Sequence, residues 1–274
     1  MAITAAEVSK LRKMTGAGMM DCKHALEESK GDFEIAVEII RKRGQLVASK
    51  RADRDATEGV VLSQVSGNGN FGAMIVLNCE TDFVAKNNDF IKFAQEILDL
   101  SITNKCADID ALKALVMDGR TVADRVTEQV GIIGEKLELS FYAKIEAPMV
   151  VAYIHPGNRL STLIGMNKTV DMQVGRNIAM QVAAMNPVAV DKTDVTPEVI
   201  EKEKEIGREQ ARNEGKPENM LDKIAEGKLN KFFKESTLLN QDFTKDSSKT
   251  IRQYLQSIEK DLTVTRFVRY SINQ

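Results

Sequence analysis

Side chains that could do covalent chemistry are sparse in this sequence. His24 and His155 are the only histidines among 274 residues, and Cys22, Cys79 and Cys106 are far apart and never form a CxxC pair. Metal sites need such groups at fixed spacings, and a nucleophile needs a base beside it. The sequence therefore predicts no catalytic residue, no metal site and no cofactor.

A glycine-rich stretch at residues 67–72, GNGNFG, matches the GxGxxG pattern of dinucleotide-binding loops. That function requires a strand before the loop and a helix after it, so that phosphate meets free helix amides. Here the apolar run GVVLSQV lies before the stretch, and the apolar run FGAMIVLNCE begins within it at Phe71 and continues after it. Two such runs are typical of two strands. We interpret the stretch as a hairpin turn, and a nucleotide-binding enzyme is the less favoured alternative.

A second stretch, ETDFVAKN at residues 80–87, places an acid beside an aromatic where an apolar run gives way to a helical pattern. Spacing alone leaves two interpretations open. In the first, Asp82 caps the helix and Phe83 begins a buried stripe that continues through Phe90 and Ile97. In the second, Phe83 projects from the corner as an anchor for a partner.

The elements that must position these residues begin with three short helices. Thr4 and Glu7 have the spacing of a capping box, Gly16 and Gly18 permit a tight turn, and Asp32 is placed to cap a third helix. Met19 and Met20 are adjacent, so at least one of them is expected to face outward. The apolar positions predicted for the three helices are Val8, Leu11 and Met14, then Met19, Met20, Cys22 and Leu26, then Ile35, Ala36, Ile39 and Ile40.

The segment 41–54 is rich in lysine and arginine and is predicted to be a polar helical linker with a solvated face. RNA contact is the less favoured interpretation of this segment. The net charge of the chain is only -2, so it lacks the overall basic character of nucleic-acid-binding proteins. We expect no direct nucleic-acid partner.

The order strand, turn, strand, helix occurs twice, in residues 59–98 and again in residues 149–187. This similarity suggests two related halves. Residues 109–117 and 121–133 are predicted to be helices, followed by a strand at 136–146. The first half has TDFVAKN after its second strand and the second half has KTVDMQVGRN, so TDFVAKN is a candidate for function.

After Pro187 the composition becomes charge-dense. Residues 197–213 and 217–235 carry narrow apolar stripes, which suit two helices packed on each other in an antiparallel hairpin. A helix at 249–258 and a strand at 262–272 follow, and the strand is predicted to join the sheet of the second half.

These patterns predict an α+β fold with three parts. A three-helix module with its basic linker takes residues 1–54, and a first core subdomain takes residues 55–142. A second core subdomain takes residues 143–274 and contains the helical hairpin as an insertion at about residues 190–235. No run of about 18 apolar residues or signal core is present, so we expect a cytoplasmic protein that does not enter a membrane.

Several of these motifs together resemble bacterial translation elongation factor Ts. They occur in the family's order and extend over nearly the whole chain, and TGAGMMDC and TDFVAKN are each specific. The motifs are TGAGMMDCKHAL, ETDFVAKN, YIHPGNR, EGKLNKFFKESTLLNQDF and RFVRY. The resemblance implies a ubiquitin-associated-like N-terminal module, two related core subdomains and an inserted coiled coil.

The resemblance also implies a function and its residues. The family is the guanine nucleotide exchange factor for the GTPase elongation factor Tu, so no catalytic chemistry of its own is expected. Asp82 and Phe83 would press on the GTPase near its magnesium site, with Thr81 and Val84 framing them. Secondary contacts with the partner would come from Arg12, Met19, Met20, Ile133, Gly134 and His155.

The sequence leaves an alternative open for the function and for the role of the helical hairpin. A passive scaffold or chaperone-like partner of a GTPase, without exchange activity, is the alternative function. The helical hairpin could mediate dimerisation of the complex, contact the partner, or do both.

Overall fold

The computed structural model describes residues 3–272 and combines helices with antiparallel sheets, which confirms the predicted α+β class. Residues 1, 2, 273 and 274, which the first and last predicted units include, lie outside the described residues. The helices are α1 (Ala5–Thr15), α2 (Met19–Glu28), α3 (Phe33–Lys50), α4 (Asp82–Ala85), α5 (Asn88–Asn104), α6 (Ile109–Ala114), α7 (Val122–Ile133), α8 (Met172–Met185), α9 (Pro197–Asn213), α10 (Leu221–Ser236) and α11 (Ile251–Ile258). The strands are β1 (Glu58–Val65), β2 (Phe71–Cys79), β3 (Val116–Met117), β4 (Arg120–Thr121), β5 (Glu138–Glu146), β6 (Met149–Ile154), β7 (Leu160–Met166), β8 (Asp242–Phe243), β9 (Asp246–Thr250) and β10 (Val264–Ser271).

The N-terminal helices α1 to α3 share a small apolar core. The predicted capping box begins α1, because Thr4 Oγ1 accepts from the Glu7 N–H at 3.3 Å and Glu7 Oε2 accepts from the Thr4 N–H at 2.8 Å. Gly16 ends α1 with a φ of 74°, a left-handed conformation that glycine adopts without steric cost. The buried residues of this core are Val8, Leu11, Ala17, Cys22, Ala25, Leu26 and Ala36.

Two positions predicted to be buried in this module are exposed. Ile35 lies on the solvent-exposed side of α3. It is about 100° around the helix from Ala36, which points into the core. Met14 lies in the last turn of α1, where it lines a cavity between the module and α7 rather than the module's own core. Helical spacing identified the apolar positions of α1 to α3, but the packing of these three short helices does not bury all of them.

Most of the basic segment 41–54 is the second half of α3 rather than a separate linker. Gly44 of this segment is buried and crosses α7 at Gly131. A β-carbon on Gly131 would lie 2.3 Å from Gly44 Cα, so the two backbones touch. The segment is therefore packed on α7 along one side, and its other side is exposed to solvent.

The first sheet has the strand order β1-β2-β5. β1 pairs with β2 from Glu58 opposite Cys79 to Val65 opposite Gly72, so residues 66–70 form a hairpin turn. The glycine-rich stretch therefore joins two strands, as predicted, and opens no helix. Helices α5 and α7 cover the outer face of this sheet, where Phe90 and Ile97 of α5 are buried.

The second sheet has the order β10-β7-β6 and repeats the topology of the first. In each sheet the second strand of a hairpin is central, and a later strand pairs antiparallel to it on the far side. The predicted addition of the last strand to this sheet is confirmed. Helices α8 and α11 cover its outer face through an apolar cluster that includes Ile178 and Leu255.

The two sheets pack against each other through their inner faces. Gly72 allows the close approach, because a β-carbon there would lie 2.8 Å from side-chain atoms of both Leu163 and Val150. Ser63 and Ser161 also hydrogen-bond across the interface, with 2.5 Å between their hydroxyl oxygens. The buried apolar residues between the sheets are Val61, Met74, Val76, Ile145, Val150, Leu163 and Ile272.

Helices α9 and α10 form the predicted antiparallel hairpin. α9 packs on α10, and the buried Gly207 and Ala225 face each other with 3.0 Å between a β-carbon on the glycine and Ala225 Cα. The base of the hairpin is closed by a parallel bridge between Ala189 and Thr237. Within residues 3–272, no helix is long and apolar enough to cross a membrane.

One predicted helix is interrupted. Residues 109–117 were expected to be helical throughout, but α6 ends at Ala114 and β3 and β4 form a small hairpin. Asp118 and Gly119 both have positive φ, of 53° and 78°, as a tight two-residue hairpin turn requires. The Asp-Gly pair is the sequence signal that the helical periodicity concealed.

Candidate partner-binding site

The corner after β2 is built around a one-turn helix. Thr81 is its N-cap, because its side-chain oxygen accepts from the backbone N–H of Val84 at 3.4 Å. Asp82 is the first helical residue and receives a hydrogen bond from Lys86 Nζ at 2.6 Å. The interpretation of Asp82 as the cap is therefore wrong, and Thr81 has that role.

Phe83 projects from this corner into solvent, with 83% of its surface exposed. Its neighbours in α4 anchor the turn, because Ala85 is buried and Val84 packs partly on the first core. The buried stripe begins later, at Phe90 in α5. The interpretation of Phe83 as the first member of that stripe is therefore wrong, and the interpretation as an exposed aromatic is the one consistent with its position.

Glu135, which the sequence analysis did not identify, holds the corner from the end of α7. Its Oε2 accepts from the backbone N–H groups of Glu80 and Thr81 at 3.1 and 3.0 Å. Its Oε1 accepts from the Thr81 hydroxyl at 2.7 Å. The only signal available in the sequence was the position of Glu135 directly after Gly134, at the end of a predicted helix.

Glu80 makes the reciprocal contact. Its Oε1 accepts from the backbone N–H of Lys136 at 2.6 Å and from Arg51 Nη1 at 2.7 Å. Burial by itself raises the pKa of the Glu80 carboxyl, but the hydrogen bonds from Lys136 and Arg51 outweigh it and the pKa is lowered. Glu80 is therefore ionised at neutral pH and joins the corner to the segments that directly follow α3 and α7.

Gly134 and Ile133 end α7 beside the corner. Gly134 has a φ of 80°, and its N–H donates to Val130 O at 2.8 Å, so it caps the helix in the left-handed conformation. This turn brings Glu135 to Thr81. Ile133 is half-buried and packs on the first core.

Asp82 carries its charge on the same surface. The hydrogen bond from Lys86 is the main cause that lowers the pKa of the Asp82 carboxyl. Because its side chain is 43% exposed, the carboxylate remains accessible to a partner. An anion and an aromatic ring therefore lie side by side on one short, anchored turn.

The residues predicted to make N-terminal contacts with a partner lie on the module that packs on α7. Arg12, Met19 and Met20 are all exposed, and the two methionines are 47% and 59% exposed. The turn between α1 and α2 contacts α7, since a β-carbon on Gly16 would lie 3.5 Å from Ile132 Cδ1. The turn is thus placed next to the helix end that supports the corner.

His155 is exposed on the turn between β6 and β7. Its Nδ1 lies 3.0 Å from the Tyr153 hydroxyl. The same turn is tied to β1, because Asn158 O accepts from the Val61 N–H at 2.7 Å and Arg159 pairs with Glu58. The Glu58 hydrogen bond is the main cause that raises the pKa of Arg159. Glu58 lies opposite Cys79 at the end of β2, so the turn lies near the corner.

Other groups with potential chemistry do not form a site. Burial, with the charges of Glu135 and Glu58, raises the pKa of the Cys79 thiol to about 12, so the thiol is protonated and unreactive at neutral pH. His24 is exposed on α2. Among residues 3–272, no group of three or more histidine, cysteine or acidic side chains is placed to hold a metal ion.

Comparison with known proteins identifies the family. A family model described as elongation factor TS matches residues 80–274, well over half of the chain. The chain belongs to the elongation factor Ts family. A protein named elongation factor Ts from Porphyromonas gingivalis is 53% identical to it, over 100% of this chain and 99% of the relative. A protein of the same name from Amoebophilus asiaticus is also 53% identical, over 98% of each chain. A relative of the same name from Christiangramia forsetii is 50% identical over 98% of each chain.

The elongation factor Ts match begins at Glu80, the first residue of the corner. It includes Phe83, Gly134 and His155 but not the N-terminal module. The full-length relatives extend over that module as well, so Arg12, Met19 and Met20 also lie within the similarity to elongation factor Ts proteins.

Proposed function

We propose that the chain is a guanine nucleotide exchange factor that binds the GTPase elongation factor Tu and promotes release of GDP during translation elongation. The observation that carries the proposal is the exposed ring of Phe83 on an anchored corner, beside the carboxylate of Asp82. Membership in the elongation factor Ts family supports the translational role. Thr81 caps the turn and Val84 fastens it to the core, so the two frame the contact residues.

The proposed mechanism needs no bond-breaking groups on this chain. A GTPase holds GDP through amides and a lysine on the phosphates and through a magnesium ion that neutralises their charge. Insertion of Phe83 into an apolar pocket of the partner would contribute about 1.5–3 kcal/mol from burial of the ring. Such a contribution stabilises a conformation of the partner in which the magnesium and phosphate contacts are distorted.

Thermodynamic linkage then explains turnover. A factor that weakens GDP binding must itself be weakened by GDP to the same degree, because the coupling free energy between the two sites is reciprocal. Incoming nucleotide therefore displaces the factor. The chain can act on many partner molecules in succession without being consumed.

The secondary contacts would orient the partner on the corner. We propose that Arg12, Met19 and Met20 supply one adaptable surface, since methionine side chains adjust to irregular partners. His155 would supply another from the turn between β6 and β7, and Ile133 and Gly134 would contribute at the end of α7. Their common placement around the corner supports this grouping.

We further propose the division of the chain into residues 1–54, 55–142 and 143–274, with the hairpin near 190–235 as an insertion. The hairpin is also the proposed site of dimerisation of the complex. The two sheet units with separate outer cores and the closed base of the hairpin support this division.

Release of labelled GDP from purified elongation factor Tu of the same organism tests the function. We expect the release rate to rise with a substoichiometric amount of the chain, and each molecule of the chain to act repeatedly. A complex that forms while the GDP dissociation rate stays unchanged would support the alternative, a passive scaffold or chaperone-like partner. Absence of both a complex and acceleration would exclude the proposed function.

A further inference from the structure

We propose that Glu135 is a positioning residue for Phe83, and that its carboxylate fixes the corner in the geometry that the partner requires. This inference rests on the proposed exchange function and deepens it. Glu135 lies outside the residues expected to touch the partner. It would act through Thr81 and the one-turn helix α4.

Three hydrogen bonds converge on the carboxylate of Glu135. Glu135 accepts the N–H groups of Glu80 and Thr81 and the hydroxyl of Thr81, at 3.1, 3.0 and 2.7 Å. Glu80 in turn accepts the Lys136 N–H at 2.6 Å. Each acid thus binds the backbone of the segment that carries the other, and hydrogen bonds to a charged group are stronger than neutral ones.

The hydrogen-bond ladder of the first sheet ends where the bonds to Glu135 begin. The last ladder pairs of β2 are Cys79 with Glu58 and Asn78 with Glu138. Beyond them, the backbone N–H groups of Glu80 and Thr81 are directed to Glu135. A helix of four residues has too few internal hydrogen bonds to hold its own position, so α4 depends on this anchor.

The Thr81 hydroxyl connects the Glu135 carboxylate to the turn that carries the Phe83 ring. The Thr81 hydroxyl donates to Glu135 and also accepts from the Val84 N–H, so one oxygen links the carboxylate to the first turn of α4. Phe83 lies in that turn, between Thr81 and Val84. Movement of Thr81 would therefore displace an exposed ring that has little packing of its own to restrain it.

Variants of Glu135 that differ in reach and charge test the proposal. In Glu135→Gln the amide oxygen can accept both N–H groups while its NH2 donates to the Thr81 hydroxyl, so exchange should remain close to that of the unchanged protein. Glu135→Ala removes all three bonds, and Glu135→Asp is one methylene too short to keep them. Both should lower the kcat of GDP release by about 10-fold or more, because a displacement of about 1 Å costs that much in a positioned contact.

The separation of kcat from KM distinguishes positioning from loss of binding. The N-terminal surface still holds the partner in Glu135→Ala, so the KM for the GDP-bound partner should change by no more than about threefold. In a Phe83→Ala background, the further change Glu135→Ala should have little additional effect on kcat. A full additional loss in that background would overturn the proposal, because Glu135 would then act independently of the ring.

Asp246→Ala is the matched control. Asp246 is a carboxylate of the second half, outside the hairpin, that accepts from the Ser248 N–H and the Ser248 hydroxyl at 3.2 and 2.6 Å. Its replacement removes a similar set of bonds far along the chain from the corner. It should lower stability while leaving kcat unchanged, and an equal loss of kcat in this control would overturn the proposal.

Amide hydrogen exchange supplies a readout that does not need the GTPase. In Glu135→Ala the N–H of Thr81 should lose protection by about 10-fold or more relative to the unchanged protein, while amides in the centre of β2 stay protected. If the unchanged protein fails to accelerate GDP release from the GTPase, the proposed function fails. The hydrogen-exchange measurement still decides whether Glu135 positions the corner. Unchanged protection of Thr81 would overturn the positioning role.

Discussion

Phe83 and Phe90 lie seven residues apart and have opposite environments. Phe90 is 2% exposed in the core of the first half, whereas Phe83 lies in solvent on α4. An aromatic ring left in water gives up the burial energy that it could contribute to folding. At the scale of the residue, the exposed ring of Phe83 adds little to stability, which is consistent with the proposed contact with a partner.

Substitution of each ring by alanine separates these roles. Phe83→Ala should abolish most acceleration of GDP release while changing the free energy of unfolding by less than about 0.5 kcal/mol, because little packing is lost. Phe90→Ala, the matched control, should lower the free energy of unfolding by about 3–5 kcal/mol, as expected for a buried ring. Urea unfolding and labelled-GDP release measure the two effects. A large loss of stability in Phe83→Ala would contradict the assignment.

The crossing of α3 and α7 is the element-scale feature that connects the N-terminal module to the corner. Gly44 and Gly131 meet there with no side chain between the helices. α7 then ends at Gly134, directly before Glu135. The packing of α3 on α7 thus sets the positions of Met19 and Met20 relative to the Glu135 carboxylate, which hydrogen-bonds the N-cap of α4.

Gly131→Ala tests this crossing. The added β-carbon would lie 2.3 Å from Gly44 Cα, so the helices must separate, and we expect a loss of about 1–3 kcal/mol in the free energy of unfolding. The control is Gly227→Ala on the exposed face of α10, where no heavy atom lies within 4 Å of the new β-carbon. That change should stabilise the protein by about 0.5–1 kcal/mol through helix propensity. Equal shifts in the urea midpoint of the two variants would contradict the close crossing.

At the scale of the molecule, the sheets form the body and the helical hairpin is attached at one narrow base. The Val188 N–H donates to Ser236 O at 2.8 Å and the Leu238 N–H donates to Ala189 O at 2.9 Å, so the two ends of the insertion lie side by side. The buried residues of α9 and α10 face each other. The cores of the two halves include no residue of α9 or α10 among their buried members.

Replacement of residues 197–234 by a short glycine-serine linker should therefore leave a folded body. We expect a single cooperative urea transition whose midpoint stays close to that of the full chain, with helical circular dichroism reduced by the loss of two helices. Sedimentation of the complex with the GTPase tests dimerisation. If two complexes are joined through the hairpin, the mass of the assembly should fall by half in the variant without the hairpin. Loss of cooperative unfolding would show that the body needs the hairpin.

Local patterns in the sequence were sufficient for much of this architecture. The range 197–213 predicted for α9 agrees with its bounds, the capping box at Thr4 is formed, and the glycine-rich stretch is a hairpin turn. These features depend on residues close in sequence, such as a cap, a turn or an apolar stripe. The family resemblance rested on several motifs in a fixed order, and similarity over the whole chain confirmed it.

The remaining features depend on contacts between distant segments. Periodicity shows which residues share a face but not whether another element covers that face, so it could not decide the exposure of Ile35 or Phe83. Thr81 and Glu135 lie 54 positions apart, and they meet because β2 and α7 end at the same corner. The position of the exposed ring follows from that meeting, which is a property of the packed chain rather than of any local stretch.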